Sequence, residues 1–126
     1  MSPVVIEGVV IRGNRLGSRM GVPTANIEVG DELDIPDGVY ASQVTLDGRT
    51  YGAMSDLGRK PTVGGRRRLL ETNLFGFDGD LYGRRLRVEL LWFVRPERRF
   101  GSVEELFRQI EADRCVILDR MASETR

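Results

Sequence analysis

The chain has 126 residues, 40% of them hydrophobic and 30% charged, a size and composition that predict one soluble globular domain rather than a disordered segment. Nineteen basic and nineteen acidic residues cancel, so no net charge attracts the chain to nucleic acid or to anionic membranes. The chain has no histidine and a single cysteine, Cys115, which excludes histidine-dependent triads and proton relays and any internal disulfide.

The first two-thirds of the chain is patterned as short strands separated by turns. We predict a strand from Val4 to Ile11, followed by an exposed loop over the glycine-rich residues 13–21. Val39 to Leu46 and Arg49 to Met54 flank an Asp-Gly pair, which is a strong signal for a type I′ hairpin.

Loops and two further strands are predicted in the remaining β region. Residues 57–68 contain three glycines, a proline and three consecutive arginines, which predicts a mobile loop, and residues 30–36 are expected to be mobile as well. Leu69 to Phe77 is predicted to be a strand. Arg85 to Val94 alternates, and this pattern places one set of apolar residues on one face: Leu86, Val88, Leu90, Trp92 and Val94.

A helix is predicted to end the chain. Ser102 and Glu105 fit the N-cap and N3 positions of a capping box. Apolar residues then recur at helical spacing, namely Val103, Leu106, Phe107, Ile110, Ile117, Leu118 and Met121. Short strands followed by one terminal helix indicate a small antiparallel barrel, over about residues 4–94, with a helix at about 102–121 packed on it. We expect residues 1–126 to form this single domain.

The N-terminal residues predict a location. Residues 1–7 reach an acidic side chain too early for the apolar stretch of a signal peptide, and no run approaches the roughly 18 apolar residues of a membrane span. We therefore expect a cytoplasmic protein that does not cross a membrane.

Two polar residues near the first loop have the chemistry of metal ligands. Thr24 and Asn26 are two residues apart, so in an extended segment their side chains lie on the same face. A hydroxyl and an amide oxygen suit Mg²⁺, whose coordination is usually completed by water and substrate phosphates. The alternative is a turn in which Asn26 caps its own backbone. Glycines 13, 17 and 21 are either phosphate-binding backbone or simple turns.

Glu71 lies in an otherwise apolar strand segment. It is either a surface residue or a positioned general base, and in a half-buried setting its pKa would be raised toward neutrality. Three arginine clusters, at 66–68, at 84, 85 and 87, and at 95, 98 and 99, suggest a polyanion site, but nineteen acidic residues accompany them, so we interpret them as solvated faces. Nucleic-acid binding is not expected, because exposed aromatic residues for base stacking are not predicted.

Several motifs resemble those of one family when they are taken together in chain order. They are G-V-V at 8–10, G-S-R-M-G-V-P-T-A-N at 17–26, P-D-G-V-Y-A at 36–41, L-G-R-K-P-T at 57–62, E-T-N-L at 71–74, F-D-G-D-L-Y-G at 77–83 and R-P-E-R-R-F at 95–100. The chain thus resembles the riboflavin kinases (flavokinases), including the kinase module of bifunctional bacterial FAD synthetases, over nearly its whole length.

The resemblance implies a six-stranded antiparallel Greek-key barrel with a C-terminal helix. It also implies transfer of the γ-phosphate of ATP to the 5′-hydroxyl of riboflavin, with Glu71 as catalytic base and Thr24 and Asn26 as ligands of Mg²⁺ bound with ATP. By the same resemblance, the nucleotide is bound by Gly17, Ser18, Arg19, Gly21, Pro23, Thr24, Asn26 and Tyr82, and the flavin by Arg95, Glu97 and Phe100.

The chain departs from the family pattern in three places. Asn73 stands where the family usually has histidine, Val22 and Met20 replace a larger aromatic residue and a leucine, and Asp56-Leu57-Gly58 replaces the more common Asn-Ile-Gly. The nucleotidyltransferase half of the bifunctional enzymes is absent, so we expect FMN as the final product, although a piece of a longer protein would have the same sequence.

Two other functions remain open at this stage. One is a catalytically silent flavin- or nucleotide-binding module of the same fold, and the other is an unrelated small barrel that serves as an interaction or oligonucleotide-binding domain. We expect a monomer whose partners are riboflavin and ATP, without binding to nucleic acid or membrane.

Overall fold

The computed structural model describes residues 4–11, 24–62 and 65–124. These residues form six strands and one helix: β1 (Val4–Val9), β2 (Thr24–Glu28), β3 (Gly38–Leu46), β4 (Arg49–Thr62), β5 (Gly65–Leu74), β6 (Arg85–Arg95) and α1 (Val103–Glu124). The strands form one antiparallel sheet in the order β1-β6-β3-β4-β5-β2. Because β6 returns beside β3, next to the β3-β4-β5 meander, the order is that of a Greek key. This confirms the predicted fold class.

The sheet curls until its two edge strands meet. The backbone N–H of Ile11 donates to the carbonyl of Asn26 at 2.8 Å, which joins the end of β1 to β2. The inner face of the curled sheet is apolar, and its most deeply buried members are Ile27, Val44, Leu57, Leu70, Leu74, Leu86 and Val88. This closure gives the edge strands partners and encloses the core from both edges.

Helix α1 packs on the outer face of the sheet. Ile117 is fully buried there against Val39, Ala41 and Met54. The predicted apolar face of the helix is correct at Ile117 and, in part, at Ile110 and Met121, which pack against the same cluster. It is wrong at Val103 and Leu118, which are 50% and 37% exposed, because only a narrow stripe of the helix touches the sheet.

The start of α1 is capped almost as predicted. The backbone N–H of Glu105 donates to the Ser102 hydroxyl at 3.2 Å. The Glu105 carboxylate accepts from the N–H of Gly101 at 3.0 Å, one residue before the partner that a standard capping box would use. In the described part of the chain, no helix is both long and apolar enough to cross a membrane.

The hairpin at Asp47-Gly48 is confirmed, whereas the loop predicted at 57–68 is wrong. Asp47 and Gly48 both have positive φ, 51° and 77°, as a type I′ turn requires. Strand β4 continues to Thr62, and β5 already begins at Gly65. Glycines and arginines lower the strand propensity of this segment. The segment is nevertheless a strand, because β4 pairs with β5 along its length.

A register shift overturns the single apolar face predicted for β6. Leu90 pairs with Ser42 but Trp92 pairs with Ala41, so the strand carries a bulge between them. A bulge changes which face the following side chains occupy. Leu86, Val88 and Leu90 therefore face the enclosed core, while Trp92 and Val94 pack with the cluster beneath α1.

Arg68 anchors the segment from 30 to 37, which the sequence analysis expected to be mobile. Its guanidinium donates to the carbonyls of Gly30, Leu33 and Ile35 at 2.6–3.1 Å and pairs with Asp37 at 3.0 Å. The Arg68 side chain is only 9% exposed. One side chain thus supplies the segment with the hydrogen bonds that a regular element would otherwise provide, and the interpretation of Arg68 as part of a solvated face is wrong.

Candidate active site

A row of polar side chains crosses three neighbouring strands on the outer face of the sheet. Glu71 on β5 lies directly opposite Asn26 on β2 and, on its other side, opposite Asp56 on β4. Two residues further along the same pair of strands, Thr24 lies opposite Asn73. Directly opposed residues of a ladder share a face, as do residues two apart on one strand. The predicted same-face placement of Thr24 and Asn26 is therefore confirmed, and Glu71 lies beside them.

Three oxygen atoms in this row are buried without a hydrogen-bond partner among the described residues. They are Oδ1 of Asn26, Oδ1 of Asp56 and Oδ1 of Asn73. Asn26 and Asn73 are themselves only 4% and 9% exposed. A buried acceptor without a donor costs free energy, so such atoms are rare in folded proteins. Their concentration around Glu71 marks the place where a cation or a hydrogen-bond donor would be received.

Lys60, the one lysine of the chain, serves as a cation for this row. Its Nζ lies 3.1 Å from Oδ2 of Asp56 and 3.5 Å from Oε1 of Glu97, and its side chain is only 15% exposed. Glu97 comes from the segment between β6 and α1, so Lys60 connects this segment to β4.

The surroundings raise the pKa of two carboxyl groups here, those of Glu71 and Glu97. Burial raises the pKa of Glu71, and the charge of Asp56 raises it further, while Lys60 acts in the opposite direction. Burial and the hydrogen bond with Asp56 raise the pKa of Glu97 to about 7. Although its burial disfavours the charged form, the pKa of Lys60 is raised because Asp56, Glu97 and Glu71 surround it. The half-buried setting expected for Glu71 is thus present.

Gly58 makes room for the Glu97 carboxylate. A Cβ atom at Gly58 would overlap the Glu97 carboxylate, which would then have to move aside. Gly58 lies between Asp56 and Lys60 in the face alternation of β4, so the carboxylate of Glu97 sits above the strand between these two residues.

The other two predicted flavin-binding residues are engaged with α1 or with each other. Arg95 forms two contacts with the Asp113 carboxylate, at 2.9 Å from Nε and 2.8 Å from Nη2, and Asp113 is 4% exposed. Phe100 packs beneath the guanidinium groups of Arg95 and Arg98 and lines a shallow depression with the first turns of α1.

Tyr82 lies near Val10, just beyond the end of β1. It is 51% exposed, and its N–H donates to the Asp80 carboxylate at 2.9 Å. Its neighbour Gly83 donates to the carbonyl of Val10 at 2.9 Å, one residue before Ile11 bridges to Asn26. The predicted nucleotide-binding residues Gly17, Ser18, Arg19, Gly21 and Pro23 lie outside the described residues.

Sequence reasoning missed Asp56 and Lys60 as members of the row. Lys60 falls in the segment 57–68 that was predicted to be a loop, and Asp56 lies just before it, beyond the strand predicted at 49–54, so no face was assigned to either residue. The alternation of Asp56, Gly58 and Lys60 would have placed all three on one face if this segment had been recognised as a strand.

Comparisons with known proteins identify the family of the chain. The family model described as "Flavokinase: Riboflavin kinase" matches residues 1–120. The bifunctional riboflavin kinase/FMN adenylyltransferase of Haemophilus influenzae is 40% identical over 112 residues, which are 88% of this chain and 36% of the relative. The RNA-binding riboflavin kinase RibR of Bacillus subtilis is 36% identical over 117 residues, 92% of this chain and 50% of the relative. Because RibR is described as RNA-binding, the absence of nucleic-acid binding stays a prediction here.

Two solved structures share the fold. A Streptococcus pneumoniae protein described as a macrolide-efflux protein superposes with a TM-score of 0.78 at 36% identity, over 91% of this chain and 38% of its own. Riboflavin kinase from Trypanosoma brucei superposes with a TM-score of 0.65 at 20% identity, over 97% of this chain and 82% of its own. The chain spans half or less of the length of the two curated relatives. The family match covers nearly the whole chain and includes every residue of the polar row, and the chain therefore belongs to the riboflavin kinase family.

Proposed function

We propose that the protein is a riboflavin kinase, which transfers the γ-phosphate of ATP to the 5′-hydroxyl of riboflavin and forms FMN and ADP. The observation that carries the proposal is the position of Glu71, directly between Asn26 and Asp56 on neighbouring strands. This arrangement sets a carboxylate with a raised pKa beside a buried, unpartnered amide oxygen. Phosphoryl transfer needs mainly these two elements, a base near the hydroxyl and a site for charge neutralisation.

Thr24 and Asn26 are the residues that would hold Mg²⁺ with the nucleotide. Oδ1 of Asn26 is buried without a donor, and the Thr24 hydroxyl is on the same face, so both hard oxygen atoms suit the ion. Bound Mg²⁺ would neutralise charge on the transferring phosphate. Ile11, two residues beyond the end of β1, pairs with Asn26, and β2 begins at Thr24, so the described residues on either side of 12–23 lie beside the proposed metal ligands.

Glu71 would accept the proton of the 5′-hydroxyl as the hydroxyl oxygen attacks the γ-phosphorus. Burial raises the pKa of Glu71 and so increases its strength as a base, whereas the nearby Lys60 favours its ionised form. A base whose pKa approaches the working pH is the most effective proton acceptor. Arg95, Glu97 and Phe100 lie in the segment that would enclose the flavin next to this base.

The alternative, a silent binding module, is less well supported. Thr24, Asn26 and Glu71 are all present and come together on one face of the sheet. A module that only binds flavin would have no need of a partly buried carboxylate beside the metal ligands, because burying it costs free energy. We also expect the kinase to act as a monomer in the cytoplasm.

The direct test is incubation with riboflavin, ATP and Mg²⁺, followed by chromatography for FMN. Glu71→Gln keeps size and polarity but cannot accept the proton, so kcat is expected to fall by roughly 10²–10⁴-fold with little change in the affinity for either substrate. Glu28→Gln is the matched control. Glu28 lies on the same face of β2 as Thr24 and Asn26, but it is exposed and pairs with the exposed Arg67. Flavin binding without FMN formation by the parent protein would select the silent module instead.

A further inference from the structure

Lys60 is exceptional in this chain. It is the only lysine beside eighteen arginines. Most lysines are exposed, whereas the Lys60 side chain is only 15% exposed. It also projects from the outer face of β4 toward carboxylates from two different parts of the fold. Exposed lysines keep a protein soluble, but this role does not explain a mostly buried lysine that pairs with two carboxylates.

The carboxylates around Lys60 would repel one another without it. Asp56 and Glu97 lie 3.1 and 3.5 Å from Nζ of Lys60, and Glu71 lies opposite Asp56 on the next strand, so these carboxylates oppose one another once they are ionised. Lys60 is the one cation that forms an ion pair with Asp56 or Glu97 in the described part of the chain. At short distance in a partly buried setting, the repulsion energy between like charges is several-fold larger than in water. The attraction of Lys60 therefore keeps Glu97 next to Asp56.

Glu97 is the point at which the 96–101 segment touches the sheet near the base. Its carboxylate occupies the space above Gly58, between Asp56 and Lys60. The two ends of this segment are secured separately, by Arg95 on Asp113 and by the cap at Ser102. The ends hold α1 in place without Lys60, so the contact of Lys60 with Glu97 governs only the middle of the segment.

We propose that Lys60 is a positioning residue for the acceptor substrate. By holding Glu97 above Gly58 it keeps the 96–101 segment closed against β4 and so forms one wall of the flavin side of the site, next to Glu71. The inference deepens the proposed function and rests on it. Lys60 thereby affects the binding of riboflavin but not the binding of Mg·ATP at Thr24 and Asn26.

Lys60→Met tests the proposal, since methionine keeps the length of the side chain and removes its charge. The KM for riboflavin is expected to rise by about tenfold, because residues that act on a ligand without touching it change its binding by roughly 2- to 30-fold. The KM for Mg·ATP is expected to stay within about threefold, because the ligands at Thr24 and Asn26 are not displaced. Loss of the Lys60 charge raises the pKa of Glu71 further, so kcat is compared on its high-pH plateau, where Glu71 is ionised in both proteins, and is expected to stay within about threefold there. Arg59→Met is the matched control, as Arg59 is the preceding residue, is 53% exposed and pairs with Asp31.

Two further measurements separate positioning from a general loss of structure. In the double variant Lys60→Met/Asp56→Asn the repulsion between Asp56 and Glu97 is removed, so part of the riboflavin affinity is expected to return. Hydrogen exchange of residues 96–101 is expected to quicken in Lys60→Met, with no change in α1. Equal changes in both KM values, or a lower melting temperature with unchanged riboflavin KM, would overturn the proposal.

FMN formation by the parent protein and the riboflavin KM of Lys60→Met test two different proposals. If the parent protein forms no FMN, the proposed function fails. Riboflavin affinity, measured by quenching of flavin fluorescence, and hydrogen exchange at 96–101 then decide the role of Lys60. If the parent forms FMN but Lys60→Met has the riboflavin KM of Arg59→Met, only the role of Lys60 is wrong.

Discussion

Asn26 and Glu71 meet because each strand gives one side chain to the same outer face. Asn26 is 4% exposed and Glu71 is half-buried, and the two lie directly opposite each other on neighbouring strands. The consequence is a carboxylate with a raised pKa next to an amide oxygen that no described group satisfies. At the scale of single residues, these unsatisfied groups lower the stability of the free protein, and a bound ligand would supply the missing interactions.

Asn26→Ala is expected to weaken the binding of Mg·ADP by about tenfold or more while leaving the free energy of unfolding nearly unchanged. The second expectation follows because Oδ1 of Asn26 has no partner to lose in the described structure. Thr24→Ala is expected to act in the same direction, with riboflavin binding retained. Calorimetric titration with Mg·ADP and urea denaturation give the two quantities, and Thr45→Ala on the exposed part of β3 serves as the control. Unchanged affinity in both variants would remove Thr24 and Asn26 from the metal site.

Glu97 is expected to make stability depend on pH. Its pKa is about 7 in the folded protein against 4.5 in the unfolded chain, so between these values the folded protein holds a proton that unfolding releases. The stabilisation is complete below about pH 4.5 and is lost as the pH rises through about 7. Because the side chain is 43% exposed, we expect about 1 kcal/mol rather than the full effect of the pKa difference.

Urea denaturation at pH 5 and pH 8 measures this dependence. The parent protein should lose more stability between the two values than Glu97→Gln, which has no proton to release. Glu71 titrates in the same direction in both proteins, so the difference between them isolates Glu97. An identical pH dependence in the two proteins would contradict the assignment.

At the scale of elements, the position of α1 depends on one buried ion pair as much as on its apolar stripe. Asp113 is 4% exposed and accepts from Arg95 at the end of β6 and from Gln109 one turn earlier in the helix. Ile117, on the next turn, packs on the sheet. The ion pair therefore fixes which turn of α1 faces the end of β6, and with it the path of the 96–101 segment.

Asp113→Asn is expected to destabilise the protein by about 2–3 kcal/mol, because it leaves the Arg95 guanidinium largely buried without a counter-charge. Thermal unfolding followed by circular dichroism measures the loss. The control is Glu124→Gln, which removes the exposed ion pair with Arg120 and should cost less than about 0.5 kcal/mol. Equal melting temperatures for the two variants would show that the helix is held by its apolar contacts alone.

At the scale of the whole molecule, one enclosed core connects all six strands. Leu57 lies fully buried in that core, although it begins the segment that the sequence analysis predicted to be a loop. Its neighbours Leu70 and Ile27 come from the next two strands of the sheet. The strands that carry the polar row on one face thus bury apolar residues on the other, and the core holds the site in place.

Leu57→Ala is expected to lower the free energy of unfolding by about 3 kcal/mol, the typical cost of removing a leucine side chain from a packed core. Leu118→Ala, on the exposed side of α1, should cost less than about 1 kcal/mol. Denaturant titration of both variants checks the comparison. A small effect at Leu57 would mean that β4 is not part of the core beyond Met54.

The sequence by itself determined the fold class, the hairpin at Asp47-Gly48, the terminal helix and the family. These features depend on local chemistry: a turn that needs positive φ, a cap followed by helical periodicity, and ordered motifs that are specific in combination. The same motifs led to Thr24, Asn26 and Glu71, because their resemblance to the family pattern needs no knowledge of which strands are neighbours.

Only the tertiary structure decided how those residues are surrounded. The course of β4 beyond Met54, the bulge before Trp92, the anchoring of residues 30–37 by Arg68 and the placement of Lys60 all depend on partners distant in sequence. Strand preference in a glycine- and arginine-rich segment is weak, so the hydrogen bonds and the buried face supplied by β5 determine its conformation. The pKa of Glu71 likewise depends on burial and on charges from a neighbouring strand, which no local pattern encodes.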